Sequence, residues 1–124
     1  MKAEKMPKLI AEPTRFPDDT MTISEFFGRI STGDSSVSIA RLTSAAGWSE
    51  PPQRPEFDEF TLVIRGALYL TSEDGSVTIV RENQGVFVPA GEQVQYSSPE
   101  EPGADYVAVC LPAFAPELSH RECR

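Results

Sequence analysis

The chain has little histidine, cysteine and positive charge, and it has no long apolar run. Its single histidine, His120, leaves too few imidazole groups for the sites that bind iron, nickel or zinc. Its two cysteines do not form a disulfide framework. No apolar stretch is long enough to span a bilayer, and the N-terminal sequence MKAEKMPKLIAEP lacks the apolar core of a signal peptide. We therefore expect a cytoplasmic protein that contacts no membrane and carries no metal or other cofactor.

Positive charge is scarce relative to negative charge. Acidic residues outnumber basic ones by 19 to 11, which corresponds to a formal net charge of −8. Binding to a phosphate backbone requires clustered Lys and Arg, so the charge balance predicts no nucleic-acid partner. The length of 124 residues and the 40% hydrophobic content allow one domain with one sizeable core.

Short segments rich in β-branched and aromatic residues recur along the chain and are separated by turn residues. The turns include Asp74-Gly75 and Asn83-Gln84-Gly85, whose residue types favour the positive φ of tight turns. The segments that read as strands are 36–43, 57–72, 76–82, 86–91, 93–99 and 105–114. This pattern predicts an all-β, single-domain antiparallel sandwich or barrel.

The two ends of the chain look different from this strand-rich middle. We expect an N-terminal arm over residues 1–35, the barrel over 36–114 and a tail over 115–124. Within the arm, residues 8–13 (KLIAEP) are either a short edge strand or irregular, and residues 21–30 (MTISEFFGRI) read as a helical turn. Apolar side chains in the arm and the unpaired edges of a small sheet predict a homodimer.

The rest of the chain is organised around the stretch from Gly47 to Gly66, GWSEPPQRPEFDEFTLVIRG. Three prolines restrain its first half, because proline fixes φ and cannot donate to a sheet. Its second half has strand composition and begins with a cluster of polar side chains. Restrained loops that lead into rigid strands are suited to binding and catalytic sites. The polar cluster comprises Gln53, Glu56, Asp58 and Glu59.

The spacing in this stretch resembles the first motif of the cupin superfamily. That motif reads Gly, five residues, His-x-His, three or four residues, Glu, six residues, Gly. Here Gly47 and Gly66 bound the motif and Glu59 takes the glutamate position, whereas Gln53 and Pro55 stand at the two histidine positions.

A second cupin motif is partly present. It reads Gly, five residues, Pro-x-Gly, two residues, His, three residues, Asn, and the run Pro89-Ala90-Gly91 matches its centre. Asn83, Val94 and Ser98 replace its Gly, His and Asn. The runs PEFDE and CLPAFAPELSHRE resemble the small, single-domain ethanolamine-utilisation (EutQ-like) branch, and the whole resemblance covers residues 37–121. It implies a cupin-like antiparallel β-barrel, or jelly roll, without the metal-binding histidines.

This resemblance, together with strand periodicity, predicts which residues line a pocket. If Glu59 points into the barrel, as the resemblance implies, every second residue on either side shares its face. The same reasoning places Val94 and Tyr96 inside. We predict Glu59 and Tyr96 as catalytic residues. The predicted ligand-binding residues are Gln53, Glu56, Phe57, Asp58, Thr61, Phe87, Val94, Trp48 and His120.

Several of these residues have two interpretations. Glu59 is either a desolvated carboxyl with a raised pKa that acts as a general acid or base, or a group paired with an arginine or Tyr96 that holds the barrel closed. Glu56 and Asp58 face away from the pocket unless a bulge changes the strand parity. His120 is either a solvated tail residue or part of a tail that closes the barrel.

Two functions follow from this pocket. The first is a metal-independent isomerase, cyclase, dehydratase or lyase that acts on a small organic molecule, with Glu59 as general acid or base. The second is a non-catalytic protein that binds a small ligand or serves as a scaffold. The expected partner in both is a small molecule.

Overall fold

The structure is a computed structural model that describes residues 6–17 and 20–122. This part of the chain forms nine β-strands and one short helix. The elements are β1 (Thr14–Pro17), β2 (Met21–Phe27), β3 (Ser38–Ser44), β4 (Trp48–Ser49), β5 (Asp58–Ser72), β6 (Val77–Arg81), β7 (Gly85–Val88), β8 (Val94–Ser98), β9 (Ala104–Leu111) and α1 (Pro116–Ser119).

Strand β5 organises the fold, because its 15 residues pair with four other strands. Its first half pairs antiparallel with β7 and β9, and its second half pairs antiparallel with β6 and β8. The register with β9 shifts between Val63 and Arg65, and the next residue, Gly66, has a φ of +82°. This irregularity bends β5 from one sheet into the other, as bulges in barrels do.

The strands close into an antiparallel barrel with the order β1-β2-β3-β9-β5-β8-β4, and β6 and β7 pair with β5 beside this path. Burial alternates along β8 and β9, so one side chain in two points into the barrel. The core includes Val63, Leu68, Leu70 and Val80, all at most 3% exposed. The predicted all-β antiparallel architecture is therefore confirmed.

The structure decides between two alternatives for the N-terminal arm and corrects one prediction. Residues 8–13 form no strand, as in the irregular alternative, and β1 is an edge strand of the sheet. Residues 21–27 form β2 rather than a helical turn, because β2 pairs along its length with β3. Met21 and Glu25 are both buried, but a spacing of four fits a helix as well as a strand, so pairing with β3 decides the structure and overrides local helical preference.

The C-terminal tail folds back onto the proline-rich segment before β5. The Glu56 amide donates to the Leu118 carbonyl at 2.8 Å, and the Glu122 amide donates to the Pro52 carbonyl at 2.8 Å. Backbone bonds on both sides of His120 therefore hold the tail beside the entrance to β5. Within residues 6–17 and 20–122, no helix is long and apolar enough to cross a membrane.

Candidate functional site

A cavity of about 130 Å³ lies within the barrel, and three glutamates line it. We call it the carboxyl cavity. Its polar and aromatic lining residues are Glu25, Ser38, Glu50, Gln53, Phe57, Glu59, Tyr96, Tyr106, Phe114 and Arg121. Its remaining wall is largely apolar, with Met21 and Ile23 from β2 and Leu42 from β3. An apolar cavity with a few convergent polar groups is the usual composition of a binding site.

The segment between β4 and β5 positions the first polar groups of the cavity. Gln53 exchanges two backbone hydrogen bonds of 2.9 Å with Val94 at the start of β8. Its other side forms an isolated bridge with Arg121. Gln53 thus joins β8 to the tail, and its side chain is buried in the cavity wall.

Glu59 lies near the start of β5, between Val88 of β7 and Cys110 of β9. Its side chain is partly buried and lines the cavity. Burial and, to a smaller extent, the charge of Glu50 raise the pKa of Glu59 to about 7, although the Tyr96 hydroxyl, which approaches without forming a hydrogen bond of normal geometry, acts to lower it. The prediction that Glu59 faces the lumen with a raised pKa is confirmed, whereas its catalytic role stays a prediction.

Glu50 is the second carboxyl of the cavity and pairs with Arg121. The two groups lie 3.1 Å apart, with Glu50 largely buried and Arg121 half exposed at the cavity mouth. Burial raises the pKa of Glu50 to about 7, and the Arg121 guanidinium opposes this shift. Near neutral pH the carboxyls of Glu50 and Glu59 are therefore both partly ionised. Glu50 has a cation beside it, the Arg121 guanidinium.

Tyr96 contributes a buried hydroxyl that has no hydrogen-bond partner among the described residues. The residue is 3% exposed, lies on β8 and lines the cavity. Burial raises the pKa of Tyr96 well above its ordinary value, so the hydroxyl stays protonated and can donate. An unsatisfied buried hydroxyl costs free energy, and a ligand that accepts from it removes that cost.

The structure places only some of the predicted pocket residues in the cavity wall. Gln53, Phe57, Glu59 and Tyr96 line it, but Thr61, Val94 and Trp48 are buried elsewhere in the barrel. Phe87 is 49% exposed and stacks on Phe60 at 4.7 Å between ring centroids, outside the barrel. Its predicted place in the pocket is wrong, because β7 pairs with β5 such that Phe87 lies opposite Phe60 on the outward face.

The acidic residues beside Glu59 do not reach the cavity. Asp58 accepts a hydrogen bond of 2.8 Å from the Ala90 amide. Glu56 is exposed and contacts the His120 ring through its carboxylate. The side chains of Glu56 and Asp58 both point away from the cavity. This is the direction that strand parity gives when no bulge interrupts the strand. The tail does close against the barrel, but His120 stays half exposed outside it.

Two functional candidates, Glu50 and Arg121, were not predicted from the sequence. Glu50 precedes two prolines in an extended segment, where strand periodicity does not assign a side-chain direction. Arg121 enters the site only because the tail folds back, and the tail carries no periodic signal. Phe114, which packs edge-on against Phe57 at 5.8 Å, reaches the cavity in the same way.

The cupin fold often holds a metal, and the residues present here do not fit one. Pro55 and Val94, which stand where the two cupin motifs have histidine, are buried and offer no ligand atom. Burial also raises the pKa of the Cys110 thiol well above its ordinary value, which disfavours the thiolate that metals bind. Within the described residues, no three His, Cys, Asp or Glu side chains converge as a metal site would require.

Comparisons with known structures agree with the fold. The putative ethanolamine utilization protein Q of Salmonella typhimurium LT2 superposes with a TM-score of 0.64 at 19% identity, over 76% of this chain and 71% of that one. Oxalate decarboxylase of Bacillus subtilis superposes with a TM-score of 0.75 at 16% identity, over 90% of this chain and 30% of that one. At these identities the likeness shows the fold alone. The predicted cupin-like antiparallel barrel is confirmed.

A comparison with curated sequences points elsewhere. The chain is 44% identical over 105 residues to the endoribonuclease YbeY of Myxococcus xanthus strain DK1622. The match covers 85% of this chain and 35% of that protein, so the chain spans about a third of its relative's length. No protein-family model matches the chain.

This relative corrects the predicted family and both predicted functions. Assignment to the EutQ-like branch of the cupin superfamily is wrong, because the protein with 44% identity is an endoribonuclease. The metal-independent small-molecule enzyme and the small-ligand-binding or scaffold protein are overturned by the same finding. The same finding overturns the predicted partners, which were a small molecule and no nucleic acid. Net charge averages over a whole surface and does not report what one cavity contacts.

Proposed function

We propose that this chain takes part in the cleavage of RNA and that the carboxyl cavity is the place where it contacts the strand. The observation that carries the proposal is the 44% identity over 105 residues with an endoribonuclease. That protein acts on RNA by its name, and the matched portion is most of this chain. A cytoplasmic location is part of the proposal, since it gives access to RNA.

The charge distribution limits how this contact is made. A chain with a net charge of −8 does not hold RNA through a broad basic surface. Proteins also recognise single strands by stacking unpaired bases on aromatic side chains and by hydrogen bonds to the base edges. The carboxyl cavity supports that mode, because it combines the aromatic rings of Phe57 and Phe114 with buried polar groups and a half-exposed Arg121 at its mouth.

A second candidate is that the chain itself breaks the phosphodiester bond, and the raised pKa of about 7 of both carboxyls favours it. In RNA the 2′-oxygen can bond to the adjacent phosphorus as the bond from phosphorus to the 5′-oxygen breaks. This reaction needs a base for the 2′-hydroxyl proton and an acid for the departing 5′-oxygen. Glu50, which has Arg121 beside it, suits the base, and Glu59 suits the acid.

Glu59→Gln is expected to weaken binding of single-stranded RNA, because it removes one ionisable group of the cavity and keeps the shape of the side chain. Fluorescence anisotropy with labelled single-stranded RNA measures the binding, and gel electrophoresis of the same RNA measures cleavage. If the chain itself cleaves, Glu59→Gln is expected to lower the rate by about a hundredfold.

The matched control is Glu92→Gln, because Glu92 is exposed and lies outside the cavity. It is expected to leave binding and cleavage unchanged. Binding without cleavage by the unmodified chain would remove the second candidate only. A chain that binds no single-stranded RNA, or that binds it equally well after Glu59→Gln, contradicts the first.

A further inference from the structure

We infer that the carboxyl cavity receives one unpaired pyrimidine base of the RNA strand and prefers cytosine to uracil. The inference rests on the proposed function, since it names what part of the strand enters the cavity. Three features support it: the size of the cavity, a buried hydroxyl without a partner among the described residues and the hydrogen-bonding edges of the bases.

The size of the cavity separates single-ring bases from double-ring bases. An apolar cavity of about 150 Å³ in a protein core holds one benzene ring. The carboxyl cavity, at about 130 Å³, is of the same order. It accommodates a six-membered ring such as that of cytosine or uracil. The fused rings of adenine and guanine need more room than its walls leave.

The polar groups of the cavity are those that a base edge requires. Tyr96 is 3% exposed, and its hydroxyl has no partner among the described residues although it lines the cavity. An acceptor such as a base carbonyl would satisfy it. Of the three glutamates that line the cavity, Glu25 already accepts from the amides of Ile30 and Ser31. Glu50 and Glu59 can accept from an amino group or, when one holds a proton, donate to a ring nitrogen.

The edge of cytosine matches these groups better than the edge of uracil does. Cytosine presents an amino donor, a ring-nitrogen acceptor and a carbonyl acceptor in a row, and carboxylates recognise its amino group in nucleic-acid complexes. The Arg121 guanidinium favours the ionised form of Glu50, which accepts from the amino group. Uracil has a carbonyl at the amino position, and its oxygen would face the carboxylate with like partial charge.

Arg121 provides a place for the sugar-phosphate backbone. Its side chain is half exposed at the mouth, and it lies 3.1 Å from Glu50. A guanidinium has five N–H donors, so it can keep Glu50 and still donate to a phosphate oxygen. A base inside the cavity with its phosphate at the rim therefore uses Glu50, Glu59 and Arg121 together.

Short single-stranded oligomers of cytidine, uridine and adenosine test the inference by fluorescence anisotropy on the full chain. The cytidine oligomer is expected to bind about tenfold more tightly than the adenosine oligomer, with uridine between them. Tyr96→Phe keeps the ring and removes the hydroxyl, and it is expected to weaken cytidine binding by about threefold to tenfold.

A cavity-filling variant tests the location. Ala40 lines the cavity from β3, so Ala40→Leu is expected to abolish the preference for cytidine over adenosine. Ala90→Leu is the matched control, because Ala90 is exposed and outside the cavity. Circular dichroism confirms that each variant is folded, and Tyr96→Phe provides the test if Ala40→Leu is not.

The outcomes separate failure of the inference from failure of the proposed function. If no oligomer binds, both fail. If all oligomers bind equally, or if the preference survives Ala40→Leu and Tyr96→Phe, only the inference fails. Free cytidine is expected to compete much less well than the oligomer. Equal competition would mean that the cavity takes the free nucleoside and would overturn insertion from a strand.

Discussion

Gly66→Ala is expected to destabilise the protein by about 4 kcal/mol, a large part of the stability of an ordinary domain. Gly66 has a φ of +82°, and a Cβ at this position would lie 2.0 Å from the Gly103 carbonyl oxygen. The contact is with backbone, so no side chain can rotate away to relieve it. The expected cost combines left-handed strain of about 1–2 kcal/mol with overpacking of about 1–3 kcal/mol.

Gly75→Ala separates the two contributions to this cost. Gly75 has a φ of +88°, similar to that of Gly66, but no atom would lie within 4 Å of a Cβ there. Its substitution is expected to cost only the conformational strain, about 1–2 kcal/mol. Urea unfolding of both variants measures the difference. Equal losses of stability would show that the close approach of Gly66 to Gly103 is not a constraint.

Glu59→Gln is expected to remove a large part of the pH dependence of stability between about pH 5 and pH 8, up to about 3 kcal/mol. Burial raises the pKa of Glu59 from 4.5 to about 7 in the folded chain. Between these two values the folded chain binds more protons than the unfolded chain. The stabilisation is therefore complete below about pH 4.5 and is lost as the pH rises to about 7.

For each variant, the free energies of unfolding at the two pH values are compared with each other, because a buried amide lowers the stability by an amount that does not change with pH. Urea unfolding at about pH 5 and about pH 8 gives the two free energies. The Glu59→Gln variant is expected to keep a residual slope through Glu50, whose pKa is also raised to about 7. Glu92→Gln should retain the full slope. An unchanged slope in Glu59→Gln would show that its carboxyl reaches bulk water.

These predictions show which parts of the site local patterns could specify. The spacing of the first motif marked Glu59, the resemblance implied that it points into the barrel, and the strand period of two then predicted which neighbours share its face. The same reasoning failed for Phe87, because strand parity relates residues within a strand but does not say which face of a short strand points inward. Pairing with β5 decides that, and Phe87 lies opposite Phe60 on the outside.

The amino-acid sequence by itself determined the strand-rich architecture and the turns, since both depend on residues close together in the chain, whereas the inward direction of Glu59 was implied by the cupin resemblance. Only the tertiary structure decided that residues 21–27 join the sheet as β2 and that the tail brings Arg121 to Glu50. Glu50 and Arg121 are 71 residues apart, so their pairing depends on how the whole chain closes rather than on local preference. Long-range closure of this kind also creates the cavity, because strands distant in sequence supply its walls.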